Sequence, residues 1–190
     1  MKILVTGHKG FIGSKLTEKL IELNHEVIGI DLKEGRDLSY CLPNQHVDFV
    51  FHLAALPSVQ FSIEKPSYTM KQNVLASSIL LEWCAVNKVK RVIFSSSAAA
   101  DDIKSPYGLQ KKITEMECAL FSQLYNLDTV CLRYYNVYSE DQEFNGPYST
   151  VINHWMNSIQ NNRPLFLDGD GEQTRDFVHV NDIVGANIFC

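Results

Sequence analysis

The stretch Thr6-Gly7-His8-Lys9-Gly10-Phe11-Ile12-Gly13 decides how this chain reads. A short apolar run, Lys2 to Thr6, leads into it, and helical spacing follows it from about Phe11 to Asn24. Glycines three residues apart suit a tight turn, a close backbone approach to a pyrophosphate, and a helix N-terminus with unpaired N–H groups. In isolation such a turn is as readily structural. Between a strand and a helix it reads as a dinucleotide site, with Gly7, Lys9, Gly10, Phe11, Ile12 and Gly13 as candidate contacts. A second apolar run, His25 to Asp31, ends in a carboxylate. A carboxylate there can accept from ribose hydroxyls and would repel a 2′-phosphate, so Asp31 points to NAD. Lys9 and Lys33 lie nearby and leave NADP as the less favoured alternative.

Outward from this unit the same alternation continues. Asp48 to Ala54, Arg91 to Ser96 and Thr129 to Arg133 read as strands, and Pro66 to Asn87 and Pro106 to Asn126 as helices. Apolar strands separated by helices indicate a parallel sheet covered on both faces, so the expected fold is α/β and doubly wound. Beyond Asn136 the pattern loosens. Asp141 to Tyr148 reads as a polar loop, Ser149 to Asn161 as a helix, Leu165 to Leu167 as a short strand and Gly169-Asp170-Gly171 as a turn. Asp182 is expected to cap a last helix.

Composition narrows the function classes. The chain has 190 residues, 45% of them hydrophobic, and a formal net charge of −5. That charge gives no reason to expect nucleic acid as a partner. No apolar run is long enough to span a bilayer and the N-terminal one is too short for a signal peptide, so the chain reads as cytoplasmic, with no membrane partner. The five cysteines are scattered, and no residues are nominated as metal ligands.

Ser105-Pro106-Tyr107-Gly108-Leu109-Gln110-Lys111 carries the chemistry. Ser105 suits an N-cap and Pro106 the first helical position, which puts Tyr107 and Lys111 four apart on one face. A phenol titrates at about 10, so proton transfer near neutrality needs about 4 kcal/mol of help. An ammonium, a helix N-terminus and an oxidised nicotinamide all push that way. Ser95-Ser96-Ser97 at a strand end completes the set.

Together with His52-Leu53-Ala54-Ala55, Asn73-Val74, Arg133 to Tyr138 and Gly169 to Phe177, these segments resemble the extended short-chain dehydrogenase/reductase family. The likeness is to its NAD-dependent nucleotide-sugar epimerases and dehydratases, of the UDP-glucose 4-epimerase type. The resemblance implies a Rossmann-like domain over residues 1–138, with a small, incomplete substrate-binding region, 139–190, packed on it. It implies that Tyr107 is the acid/base, that Lys111 holds the cofactor ribose, and that Ser97, or else Ser96, orients the sugar hydroxyl. It places Leu53, Ala54, Ala55, Asn73, Tyr134 and the pair Asp37-Leu38 around the cofactor, and Asn136 and Arg175 on the substrate's diphosphate. The implied partner is a nucleotide-diphosphate sugar. Residues 66–87 and 106–126 become candidate faces of a homodimer.

The implied reaction is 4-epimerisation through a 4-keto sugar. Dehydratases and decarboxylases of this family carry a carboxylate just after the serines, where this chain has Ala98-Ala99-Ala100. A nucleotide-sugar reductase or dehydratase on the same scaffold is the alternative, and a non-catalytic NAD- or nucleotide-binding module the third reading. The stretch from Asp31 to Asp48 is short for the family, so one strand–helix unit is expected to be reduced or lost, and the Ser97 to Tyr107 interval is also shorter than in most epimerases. The chain ends at Cys190, where family members continue.

Overall fold

A computed structural model of the protein describes residues 1–140, 142, 150–167 and 169–190. Five parallel strands form one sheet: β1 (Lys2–Thr6), β2 (Glu26–Ile30), β3 (Phe49–His52), β4 (Arg91–Ser97) and β5 (Asp128–Tyr134), in the order β2-β1-β3-β4-β5. Leu4, Val5, Val50 and Val92 are wholly buried, which accounts for the uninterrupted apolar character of these strands.

Helices cover both faces. On one, α1 (Phe11–Glu22) and the last helix, α7 (Val180–Phe189), pack through Leu16, Leu20 and Val184 against Ile3, Val5, Phe51 and Ile93. On the other, α4 (Ala76–Val86) and α5 (Pro106–Tyr125) bring Leu80, Leu81, Cys84 and Cys118 onto Leu4, Val50, Val92 and Phe94. Between β3 and α4 run α2 (Val59–Glu64), α3 (Pro66–Met70) and a π-helical turn over Lys71–Leu75. α6 (Val151–Gln160) and a two-stranded parallel pair, β6 (Val137–Tyr138) with β7 (Val178–His179), complete the described chain. The sheet is therefore doubly wound, as the alternation predicts.

Between Ile30 and Phe49 there is only a three-residue 3₁₀ turn, Leu32–Glu34. Leu38 and Val47 bury in its place against Leu4, Ile30 and Val50, so the face stays covered although one strand–helix unit is gone. β2 becomes the sheet edge in consequence.

The expected strand at Leu165–Leu167 does not form. A strand needs a neighbour to take its backbone groups, and among the described residues none lies beside it. His179, not Asp182, caps α7, its ring nitrogen accepting from the Asn181 N–H; Asp182 lies in the helix's first turn, where a carboxylate favours the dipole. The loop expected at 141–148 lies, apart from Gln142, outside the described residues, as does Ser149. No helix among the described residues is long and apolar enough to cross a membrane.

Candidate active site

The C-terminal ends of all five strands point to one edge, where an open parallel sheet binds its ligands. β1 is followed there by Gly7, at φ +74°, a conformation that costs a residue with a Cβ. A Cβ on Gly7 would lie 2.7 Å from the Ala54 nitrogen, and one on Gly13 would lie 2.0 Å from the Gly7 carbonyl oxygen. Both glycines therefore let the turn close against β3 and α1. Gly10, the α1 N-cap, has no side chain to give, and the first turn of α1 holds no carboxylate. The other long helix starting at this edge differs. The N-terminus of α5 is occupied by serines: Ser105 Oγ accepts from the Gly108 N–H, and Ser62 Oγ from the Tyr107 N–H at 3.1 Å. α1 alone of the two keeps a backbone-only, positively polarised end available to a phosphate.

Asp31 lies at the end of β2, nearly buried, one carboxylate oxygen accepting from the Lys9 N–H and the other from the Lys33 N–H. It ties the Gly-rich turn to the β2 end. Lys33 Nζ donates to the Lys9 carbonyl and Lys9 Nζ faces Glu34 at 3.5 Å, so neither lysine stands alone. Phe11 and Ile12 are half-buried at the head of α1. Leu53 packs into the core, Ala54 donates its N–H to Thr6 Oγ1, and Ala55 is half-buried beside it. Leu38 is 5% exposed and part of the core, while Asp37 accepts from the Ser39 N–H, which holds its carboxyl below the usual range.

A buried polar chain links this turn to α5. Thr6 Oγ1 bonds His52 Nδ1 at 2.7 Å, His52 Nε2 bonds Ser77 Oγ at 2.8 Å, and Ser77 donates to the Asn73 carbonyl. Because Ser77 spends its one proton on the Asn73 carbonyl, it accepts from His52 Nε2, and the neutral ring then accepts at Nδ1 from the Thr6 hydroxyl. Burial, with the Lys111 charge as a smaller cause, pushes His52 down to about 3 and keeps it neutral. Asn73 lies on the π-helical turn and clamps both backbone groups of Leu56, accepting from its N–H and donating to its carbonyl. It also donates to Gln110 Oε1 at 2.7 Å.

β4 delivers the three serines with alternating direction. Ser96 Oγ donates to Glu115 on α5, and Ser97, on the opposite face, accepts from the Ala99 N–H. The Ala98–Ala100 turn then receives the start of α5: a Cβ on Gly108 would lie 2.4 Å from the Ala99 carbonyl oxygen. Small residues on both sides bring the end of β4 and the first turn of α5 together. Tyr107 is 7% exposed and Lys111 4%. Lys111 Nζ donates to the Ser95 carbonyl at 2.6 Å and lies 4.7 Å from the Phe94 ring centre and 5.9 Å from that of Tyr107. Burial pushes this ammonium down to about 7.

Arg133 at the end of β5 grips Glu115 with two nitrogens, at 2.7 and 2.6 Å, and reaches Asp101 with a third. Arg133 in turn holds the Glu115 carboxyl at about 2. Asp101 also accepts from the Tyr135 hydroxyl, and Asp102 pairs with Lys104. Tyr134 bonds Asn187 of α7 through its hydroxyl, and burial raises its phenol well above the usual range. Asn136 donates to the Asp176 carbonyl, beside the β6–β7 pair. Arg175 is exposed and bonds the Thr174 carbonyl next to it.

The sequence reading did not single out Gln110, Ser62, Thr69 or Ser77. The signal for Gln110 was a polar residue lodged between Tyr107 and Lys111.

A family model, NAD dependent epimerase/dehydratase family, matches residues 3–190. The chain belongs to this family. Among curated family relatives, a putative UDP-glucose 4-epimerase of Methanocaldococcus jannaschii is 35% identical over 99% of this chain and 72% of its own length. That alignment extends over 222 positions against 190 residues here, so the relative carries residues inside the matched span that this chain lacks. Among solved structures of the epimerase type, the UDP-glucose 4-epimerase of Thermotoga maritima with UDP-glucose superposes with a TM-score of 0.87 at 34% identity, covering 99% of this chain and 72% of that one. The Thermus thermophilus UDP-glucose 4-epimerase in complex with NAD gives 0.84 at 28% identity, covering 100% and 74%. The uncapped α1 N-terminus, the glycine cradle and Asp31 fit the dinucleotide that the family's description names.

Proposed function

We propose that the protein is a nucleotide-sugar 4-epimerase working with bound NAD, residues 1–138 binding the dinucleotide and 139–190 forming part of the substrate site. The observation that carries this is the docking of the first turn of α5, with Tyr107, onto the turn that follows Ser97, at the same sheet edge as the uncapped head of α1. The relatives' names supply the substrate class, a UDP-sugar.

NAD, when bound, would supply a hydride acceptor for carbon 4 of the sugar and return the hydride afterwards. The N–H groups of Phe11 to Gly13 would hold its pyrophosphate, that of Gly10 being spent on the Gly7 carbonyl, and Asp31 would meet its adenosine ribose. Leu53, Ala54 and Ala55 would lie along it, and Tyr134 and Asn73 would fix the walls of that part of the cleft. Tyr107 would take the proton of the sugar 4-hydroxyl, and Ser97 would orient that hydroxyl. Lys111, once drawn towards the cofactor ribose, would favour the ionised phenol. Asn136 and Arg175 would meet the substrate's diphosphate.

Elimination of water is disfavoured as the reaction because Asp101 is committed to Arg133 and Tyr135, and Asp102 to Lys104. The reading is tested by an NMR time course of the protein with NAD and a panel of UDP-hexoses. We expect conversion to the 4-epimer, lowered at least about 100-fold in Tyr107→Phe. Tight NAD binding with no conversion of any hexose would overturn it.

A further inference from the structure

We infer that Gln110 is a positioning residue that sets the rotation of α5 about its axis and so the place of Tyr107; the inference rests on Tyr107 being the acid/base. Gln110 is wholly buried, one residue before Lys111 and three after Tyr107. Its amide is used at both ends: Oε1 accepts from Asn73 at 2.7 Å and Nε2 donates to Thr69 Oγ1 at 2.9 Å. These partners stand on different pieces of backbone, the π-helical turn and α3. Thr69 is itself held by the Lys65 and Pro66 carbonyls, and Asn73 by both backbone groups of Leu56.

A single side chain on α5 is therefore pinned by two groups that cannot turn with it. Other links to this part of the molecule fix the helix in other senses. Ser62 holds its N-terminus, and Gly108 sets its distance from the Ala98–Ala100 turn. Glu115, two turns on, joins it to β5 through Arg133. Lys111 ties the next turn to β4 at the Ser95 carbonyl, and Thr114 reaches the Asn73 carbonyl. Gln110 is the link nearest Tyr107 that is held at both ends of its side chain, and it sets the rotation of the first turn together with Lys111. A turn of about 10° would carry the hydroxyl of Tyr107 through roughly 1 Å, enough to matter for proton transfer. The same network reaches Thr6 at the mouth of the Gly-rich turn, so the acid/base is indexed to the wall of the dinucleotide site.

The test compares Gln110→Met, which keeps length and removes both hydrogen bonds, with Thr69→Val, which removes one bond without altering α5. Melting temperature, NAD affinity, kcat, KM and a crystal structure of each variant are measured. Positioning predicts that kcat falls about tenfold or more in Gln110→Met and less in Thr69→Val, with KM and NAD affinity within about threefold of wild type. It also predicts that the crystal structure shows the first turn of α5 rotated and the Tyr107 hydroxyl displaced. Unchanged kcat with a lowered melting temperature and an unrotated helix would overturn it. Thr69→Val alone decides the matter should Gln110→Met fail to fold. Should wild type turn over no UDP-hexose, the functional reading fails, and the rotation seen or not seen in the variant structures still decides the role of Gln110.

Discussion

Lys111 shows how a buried charge burdens the fold. Its ammonium is buried against the Phe94 and Tyr107 rings, with the Ser95 carbonyl as its hydrogen-bond acceptor. Burial lowers its pKa to about 7 in the folded protein, against about 10.4 in an unfolded chain. Below pH 7 both states hold the proton and the full penalty for burying the charge is present. Between pH 7 and 10 the unfolded chain binds more protons than the native one, so stability rises with pH and the penalty fades. Lys111→Met in the cofactor-free protein is therefore expected to raise the melting temperature at pH 6–7, by an amount that shrinks towards pH 10, while abolishing turnover. A gain independent of pH would contradict this. At this scale the sequence named Tyr107, Lys111 and the serine run, because spacing and caps are visible in it. It chose Ser97 with Ser96 as the fallback; that the Ser96 hydroxyl is taken up by Glu115 depends on what packs on that face of β4, which no local pattern shows. Nor could it show that Gln110 and His52 are buried, since residue type alone does not reveal its neighbours.

Among elements, the strand–turn–helix unit from β1 to α1 was the most legible and is the most constrained. Its glycines do different work. A Cβ on Gly13 would strike the backbone oxygen of Gly7, which cannot move aside, whereas one on Gly10 meets that oxygen at 3.1 Å. Gly13→Ala is expected to destabilise the protein by about 1–3 kcal/mol. Gly10→Ala is expected to shift the melting temperature little while weakening NAD binding about tenfold or more, because in the proposed reading its Cβ would crowd the pyrophosphate. Denaturant melts and cofactor titrations separate the two; equal loss of stability in both would contradict the account. Elsewhere, helix boundaries were readable where a left-handed residue ends the helix, as at Asn24, Lys88 and Asn126. The strand expected at Leu165–Leu167 was misread because apolar character cannot show whether a partner strand exists. The short α2 carries too few residues for a periodic signal, yet Ser62 on it holds the start of α5.

For the whole molecule, the order β2-β1-β3-β4-β5 places the site where the winding reverses, between β1 and β3, and the Gly-rich turn sits there. Loss of the unit after β2 leaves this crevice intact, because Leu38 and Val47 close the core that the missing elements would have covered. α7, from the last residues of the chain, returns to the same sheet beside α1, and Asn187 on it holds Tyr134. The final segment is thus part of the framework of the five-stranded sheet as well as its neighbour. The sequence made the doubly wound class plain and marked the short interval after Asp31; how the gap is filled depends on packing that no local pattern encodes. The central claim is that hydride leaves and returns to the same sugar within one site. The measurement that tests it most directly follows a UDP-hexose deuterated at carbon 4 during turnover in excess unlabelled NADH. The account predicts that the 4-epimer keeps its deuterium in full, and loss of the label to the dissolved cofactor would contradict it.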